Sequence, residues 1–397
     1  MAGAKPQTAK PHVFAGVIVI GLTVATLFAG RAVAIQRERS AATAFASELF
    51  PLKIQGLAFQ RAAVQAPDIL PVYGSSEMGG PPYWTAGDFF RNAPTGFQVS
   101  AVGKPGATTL ILLQKIGALD RELRGKKVVV SFSSNWFLGA PNPYWYEGNF
   151  SRFAASQLIF DSALDFRLKH DIAARMVEYP QALERTPLLD FAVRCLASDS
   201  WLDQIAFWAV SPLGQLEDVM WDLQDHFAAL SKLHGEKNPP PRQPQTFDWP
   251  SLMVQAEEAA KRDQRGDPSL RSPREHFAPG SRDAWFRGMM EKSAAWTDLE
   301  LLLRILQEIH ARPLLLAMPM NGPYWNPRGV SRQGRQPYYD RFRVLARRYD
   351  ATLADFPDHD DDPDVLNPHL TAKGWILFDR AIDDFMHDRI PERVTER

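Results

Sequence analysis

Five short apolar runs limit this chain more than any other feature: DILPVYG (68–74), FQVSAVG (97–103), KKVVVSFS (126–133), RPLLLAMPM (312–320) and ATLADFP (351–357). A strand with one wet face alternates apolar and polar residues. These runs are continuous instead, as expected of parallel strands buried on both faces. Helical stretches lie between several of them. ATTLILLQKIGALDREL (107–123) ends before Gly125, a C-cap candidate, and DAWFRGMMEKSAAWTDLELLLRILQEIHA (283–311) carries a long apolar stripe. Strand, helix and strand repeated in this way predict an α/β fold around a parallel five-stranded sheet.

About 180 residues separate the third and fourth runs, far more than one crossover needs. The excess predicts an insertion. Residues 151–234 have apolar positions at helical spacing; EKNPPPRQPQTFDWP is too proline-rich for regular structure; and RDQRGDPSLRSPREH reads as a charged surface loop. The expected organisation is a short cytoplasmic N-terminus (1–12), an anchor (13–30), a linker (31–66), a first half-domain (67–150), a helical insertion with its proline-rich loop (151–280) and a second half-domain (281–397).

The anchor is the run VFAGVIVIGLTVATLFAG (13–30), uncharged and bracketed by Lys5 and Lys10 before it and Arg31 after it. Its length falls within the roughly 17–25 residues that span a bilayer as a helix. Ala32-Val33-Ala34 offers a small-x-small cleavage site, so a signal peptide is the competing reading, although its apolar core would be long for one. On either reading the rest of the chain is exported. With 45 basic and 46 acidic residues, no excess charge points to nucleic acid. The single cysteine, Cys195, excludes an intrachain disulfide and reads as a small buried residue.

In a doubly wound sheet, ligands bind beyond the carboxyl ends of the strands. The turns there read Gly74-Ser75-Ser76-Glu77, Gly103-Lys104-Pro105-Gly106, Ser133-Ser134-Asn135-Trp136 and Pro319-Met320-Asn321-Gly322, and DPDVLNPHLTAKGW follows the fifth run. A serine hydroxyl needs a histidine to take its proton, and an acyl-transfer intermediate needs donors aimed at its oxyanion. The Ser76 and Gly103 N–H groups and the Asn135 carboxamide are candidate donors. Taken alone, a Gly-Ser-Ser turn is most often only a turn with a helix cap.

The order of these blocks resembles the SGNH hydrolase superfamily, and GSSE (74–77), SSNWF (133–137), PMNGPYW (319–325) and HLTAKGW (369–375), with the N-terminal anchor, resemble more narrowly the DltD family. The resemblance runs discontinuously over residues 10–390 and leaves the insertion unmatched. It implies an SGNH/flavodoxin-like three-layer fold, with Ser76 as nucleophile, His369 as base, and Gly103 and Asn135 at the oxyanion. Ser75 is the alternative nucleophile. The family places an aspartate three residues before the histidine, where this chain has Leu366. Asp364 is the nearest candidate, with Asp362 and Asn367 left open. A dyad would be chemically sufficient, since the third group mainly orients the imidazole.

The resemblance also implies a membrane-anchored, extracytoplasmic acyltransferase. Its D-alanyl group would come through a DltB-like membrane-bound O-acyltransferase and a DltC-like D-alanyl carrier protein, and would pass to a cell-envelope glycan or teichoic acid. No cofactor and no metal are implied. An esterase of envelope polysaccharide and a non-catalytic tethered scaffold are the rival readings. Trp136, Asn321, Tyr324 and Trp325 are the substrate-binding candidates, with loop packing as the competing role for the aromatics. The run HDDDPD (359–364) reads as a solvated turn, and His226, His234 and His310 as surface residues. Arg328 and Arg332 are placed to meet an anionic group.

Overall fold

The computed structural model describes residues 10–91, 93–139, 142–233, 235, 244–264 and 276–389. Each of the five apolar runs forms a strand: β1 Ile69–Gly74, β2 Gln98–Gly103, β3 Lys127–Phe132, β4 Arg312–Ala317 and β5 Thr352–Asp355. They make one wholly parallel sheet in the order β2-β1-β3-β4-β5. Strand order reverses between β1 and β3, so the crevice of this doubly wound sheet opens beyond the ends of those two strands.

Seven helices carry the rest of the argument: α1 Lys10–Ser40, α2 Thr109–Gly117, α3 Trp201–Lys232, α4 Trp249–Gln264, α5 Ala295–Glu308, α6 Arg332–Arg348 and α7 Ala372–Met386. Successive side chains of a strand point to opposite faces, and the core divides accordingly. Tyr73, Val128, Val130, Phe132 and Leu315 join a large cluster with α2, α5 and α6. Leu70, Val72, Val129, Leu314 and Leu316 join a smaller one with Trp375, Phe378 and Ile382 of α7. Helix, sheet and helix are the three layers expected.

Several local expectations were refined. The stripe at 107–123 breaks after Gly117 and resumes at Asp120–Leu123; that at 283–311 divides into Asp283–Glu291 and α5. Residues 31–66, expected as a linker, hold the end of α1 and two short helices, Pro51–Gln55 and Ala58–Gln65, and bury Phe45, Leu57 and Phe59. Arg61 ties this segment to the first half-domain by an ion pair to Glu122 and to the insertion by one to Asp222. His226 is not a surface residue. It lies 2% exposed on α3, with Nδ1 2.9 Å from the Glu38 carboxylate of α1. His310 is exposed, and His234 lies outside the described residues.

The proline-rich run and the charged loop lie largely outside the described residues, yet α4 folds between them. Its Ala256 packs on Ala372 and Ile376, covering the outer side of α7. The insertion thereby returns to the sheet's end where the late histidine lies. At the other extreme, α1 carries one stretch long and apolar enough to cross a membrane, and none of that stretch is buried by the protein.

Candidate active site

At the end of β1, Gly74 is in register with Gly103 at the end of β2. The chain then turns through Ser75 into a single 3-10 turn, Ser76–Gly79. Both elements crowd here. A Cβ on Gly103 would stand 2.5 Å from Met78 Cγ and 2.9 Å from the Ser75 carbonyl oxygen, so only a hydrogen side chain fits. Gly103→Ala is therefore expected to cost ~1–3 kcal/mol by overpacking and to displace the serine turn. Denaturant melts and hydrolysis of a simple acyl ester would read the two effects.

The two serines of this turn differ. Ser75 is buried, and its hydroxyl donates to the Lys104 carbonyl oxygen at 3.3 Å. Ser76 is half-buried, and among the described residues its hydroxyl has no partner. The brace of the turn is Glu77, which sequence reasoning quoted as part of the motif without giving it a role. Its carboxylate is 1% exposed and accepts the Ser75 N–H at 2.9 Å. Burial pushes the Glu77 carboxyl above its ordinary range, opposed by that hydrogen bond. An acid three residues after a turn-forming glycine is the signal that points to such an internal brace.

His369 begins a two-residue strand, His369–Leu370, which pairs antiparallel with Leu366–Asn367 around Pro368. Thr371 fixes this hairpin onto α7. Its hydroxyl donates to the Asp364 carbonyl oxygen and accepts the Gly374 N–H as the N-cap, and its N–H bonds the Val365 carbonyl at 3.0 Å. The strand His369–Leu370 packs beside Ser76–Gly79, so the serine turn and the imidazole share one edge of the sheet. The His369 side chain is exposed.

None of the three candidates for the third position hydrogen-bonds or pairs with that imidazole. The Asp364 carboxylate lies 3.9 Å from Lys261 Nζ of α4, and the Asp362 carboxylate 2.8 Å from Lys373 Nζ. Asn367 is the register partner of His369 across the hairpin. Among the described residues the His369 ring makes no hydrogen bond or ion pair.

After β3, Asn135 lies exposed on the 3-10 turn Ser134–Phe137, with its carboxamide unpartnered among the described residues. Ser134 ties this turn to the next one by donating to the Pro319 carbonyl oxygen at 3.4 Å. Asn135, Asn142 and Trp145 border a cavity of about 310 Å³; Thr108 and Thr109 line it too, and their buried hydroxyls have no partner among the described residues. Trp136 borders it too but belongs to the core, 7% exposed and packed edge-on against Phe132.

The turn after β4 holds the remaining candidates apart from the serine turn in the hydrogen-bond pattern. Asn321 caps its own short helix, Gly322–Trp325, by accepting the Tyr324 N–H at 3.0 Å. Trp325 packs on Phe286, and the exposed Tyr324 carries the Arg328 guanidinium 3.6 Å from its ring centre. Arg332 pairs with Asp358. Loop packing thus accounts for both arginines. The acidic run is likewise structural rather than a solvated turn: Asp360 is buried, receiving Met320 N–H at 2.8 Å, the Tyr339 hydroxyl and the Arg335 guanidinium. Among the described residues, no group of three or more His, Cys, Asp or Glu side chains is placed to hold a metal ion.

These turns stand in the chain order that suggested a family, and direct comparison bears on that suggestion. A model of the family described as DltD protein matches residues 46–387. Protein DltD of Bacillus subtilis (strain 168) is 26% identical over 382 residues, covering 94% of this chain and 94% of its own length. Protein DltD of Staphylococcus aureus (strain NCTC 8325 / PS 47) is 22% identical over 351 residues, covering 84% of this chain and 85% of its own. The match takes in the serine turn, the helical insertion and the late histidine alike: this chain belongs to the DltD family.

Proposed function

We propose that this protein is a membrane-anchored, extracytoplasmic acyltransferase of the D-alanylation system, working through a covalent ester on Ser76. The observation that carries this reading is the packing of the His369 strand beside the Ser76 turn, in a chain of this family. Ser76 serves as nucleophile in preference to Ser75 because its hydroxyl is half-exposed and uncommitted, whereas that of Ser75 is engaged with the Lys104 carbonyl.

His369 takes the Ser76 proton as Oγ attacks the carbonyl carbon of an acyl ester or thioester. The new C–O bond places negative charge on the former carbonyl oxygen, which the Gly103 and Ser76 N–H groups and the Asn135 carboxamide stabilise. Collapse expels the donor's alkoxide or thiolate, which takes the proton from His369. A hydroxyl of the acceptor then repeats the sequence in reverse, returning Ser76 to its free form. The cavity beside Asn135, lined by the carboxamides of Asn135 and Asn142 and the indole of Trp145, suits a polyhydroxylated acceptor such as a glycan or teichoic acid. The donor side would be a DltB-like membrane-bound O-acyltransferase fed by a DltC-like carrier.

Exposure of His369 favours one second reading, that water replaces the acceptor and the protein is an esterase. Incubating the full chain with a D-alanyl thioester, then digesting at low pH and sequencing by mass, tests both. A D-alanyl adduct on Ser76 that is discharged faster by a polyol than by water supports transfer; discharge at equal rates supports hydrolysis. A chain that stays unacylated while a fluorophosphonate also leaves Ser76 unmodified rejects a serine mechanism and favours the scaffold.

A further inference from the structure

Helix α3 is built inside out for a protein in water. Asp218, Asp222 and His226 are buried on its inner side, while every exposed residue from Trp201 to Met220 is apolar except Gln215. Trp201, Ile205, Trp208, Leu213, Leu216 and Met220 are 54–67% exposed. At 100° per residue they fall within roughly 140° of the helix circumference, so they form one stripe rather than scattered positions. A contiguous apolar face of this kind marks an interaction surface.

The direction of α3 relative to α1 says what that surface meets. Phe28 and Val219 line the same cavity, Arg31 pairs with Asp222 at 2.5 Å, His226 meets Glu38, and Ala229 and Leu233 cluster with Ala41 and Phe45. The Phe227 ring lies against Gly30, where a Cβ would stand 3.0 Å away. Apart from Phe227, whose ring reaches back to Gly30, partners rise in number together along both helices, so the two run side by side in the same sense. Arg31 marks the end of the apolar run of α1. Residues of α3 before Val219 therefore lie on the membrane side of that level, where the stripe carries two exposed tryptophans and no exposed charge.

We infer that the exposed face of α3, from Trp201 to Met220, meets the lipid of the bilayer beside α1, making the helical insertion a second membrane contact. The occupant is lipid: the stripe is uncharged, carries tryptophans of the kind enriched at the bilayer interface, and continues directly from a helix of membrane-spanning length. Two contacts, α1 and the apolar face of α3, fix the tilt of the domain, where a single helix would leave it free to rotate. The inference rests on reading α1 as an anchor.

The test uses the full chain in nanodiscs of phosphatidylethanolamine and phosphatidylglycerol containing an acyl-chain diazirine lipid. After illumination and digestion, label is expected both in α1 and between Ile205 and Leu216. The double substitution Ile205→Glu, Leu216→Glu is expected to abolish the second label and leave the melting temperature unchanged, because both side chains are exposed. Label confined to α1 in the unmodified chain overturns the inference while leaving the anchor intact, and is also the result expected if another protein covers this face. Absence of label from both helices overturns the inference together with the anchor.

Discussion

Ser76→Ala is expected to lower acyl transfer by at least about 10³-fold, because removing the nucleophile leaves only binding and oxyanion stabilisation. Ser75→Ala is expected to stay within about tenfold of the native protein, since its hydroxyl supports the turn rather than the bond being made. The contrast between neighbouring serines is the informative result. His369→Gln should match the loss in Ser76→Ala, and the double variant should be no worse than either alone, as for groups that act as one unit. Single-turnover acylation with a D-alanyl thioester would read all four proteins. Equal losses at positions 75 and 76, or additive losses at 76 and 369, would break the assignment.

The largest effect on stability is expected at Arg335, whose guanidinium is entirely buried under the turn after β4. It donates to the Asp360 carboxylate at 3.2 Å, to Asp361 at 2.7 Å, to the Asn326 side-chain oxygen at 2.6 Å and to the Val330 carbonyl at 3.1 Å. Arg335→Ala leaves Asp360 as an uncompensated buried charge, and the expected cost is ~3–5 kcal/mol. The loss depends on pH. Burial already pushes the Asp360 carboxyl up to about 6, and removing the cation pushes it further. A carboxyl whose folded pKa exceeds its unfolded value binds its proton more tightly in the native state, so stability falls as pH rises between those two values. The variant's deficit should therefore be smaller at pH 4–5 than at pH 8. Urea melts at the two pH values would check this; a pH-independent deficit would show that Asp360 does not carry the effect.

Why the five strands were legible and the acid was not follows from the range of the forces involved. KKVVVSFS and RPLLLAMPM bury both faces, and burial writes itself into composition position by position. The serine turn was legible for a similar reason, because Gly74 and Gly103 are demanded locally by Glu77 and Met78, which pack onto the strand ends from the same turn. The stretch 359–364 was misleading. Its acids read as solvated because their partners, Arg335, Tyr339 and Lys373, come from other segments. His226 failed in the same way: its partner Glu38 lies 188 residues earlier.

The sequence alone determined the layered parallel sheet, the single long apolar helix at the start and the ring of turns at one sheet edge, since each is specified by periodicity or by short spacing along the chain. Only the tertiary structure decided which of two adjacent hydroxyls stays uncommitted, and that Lys261, carried back by α4 from the far end of the insertion, lies against Asp364. It also decided that α3 turns its charges inward and its tryptophans outward. Those outcomes depend on which segments meet, and a side chain's burial and partners are set by neighbours that the chain order does not name.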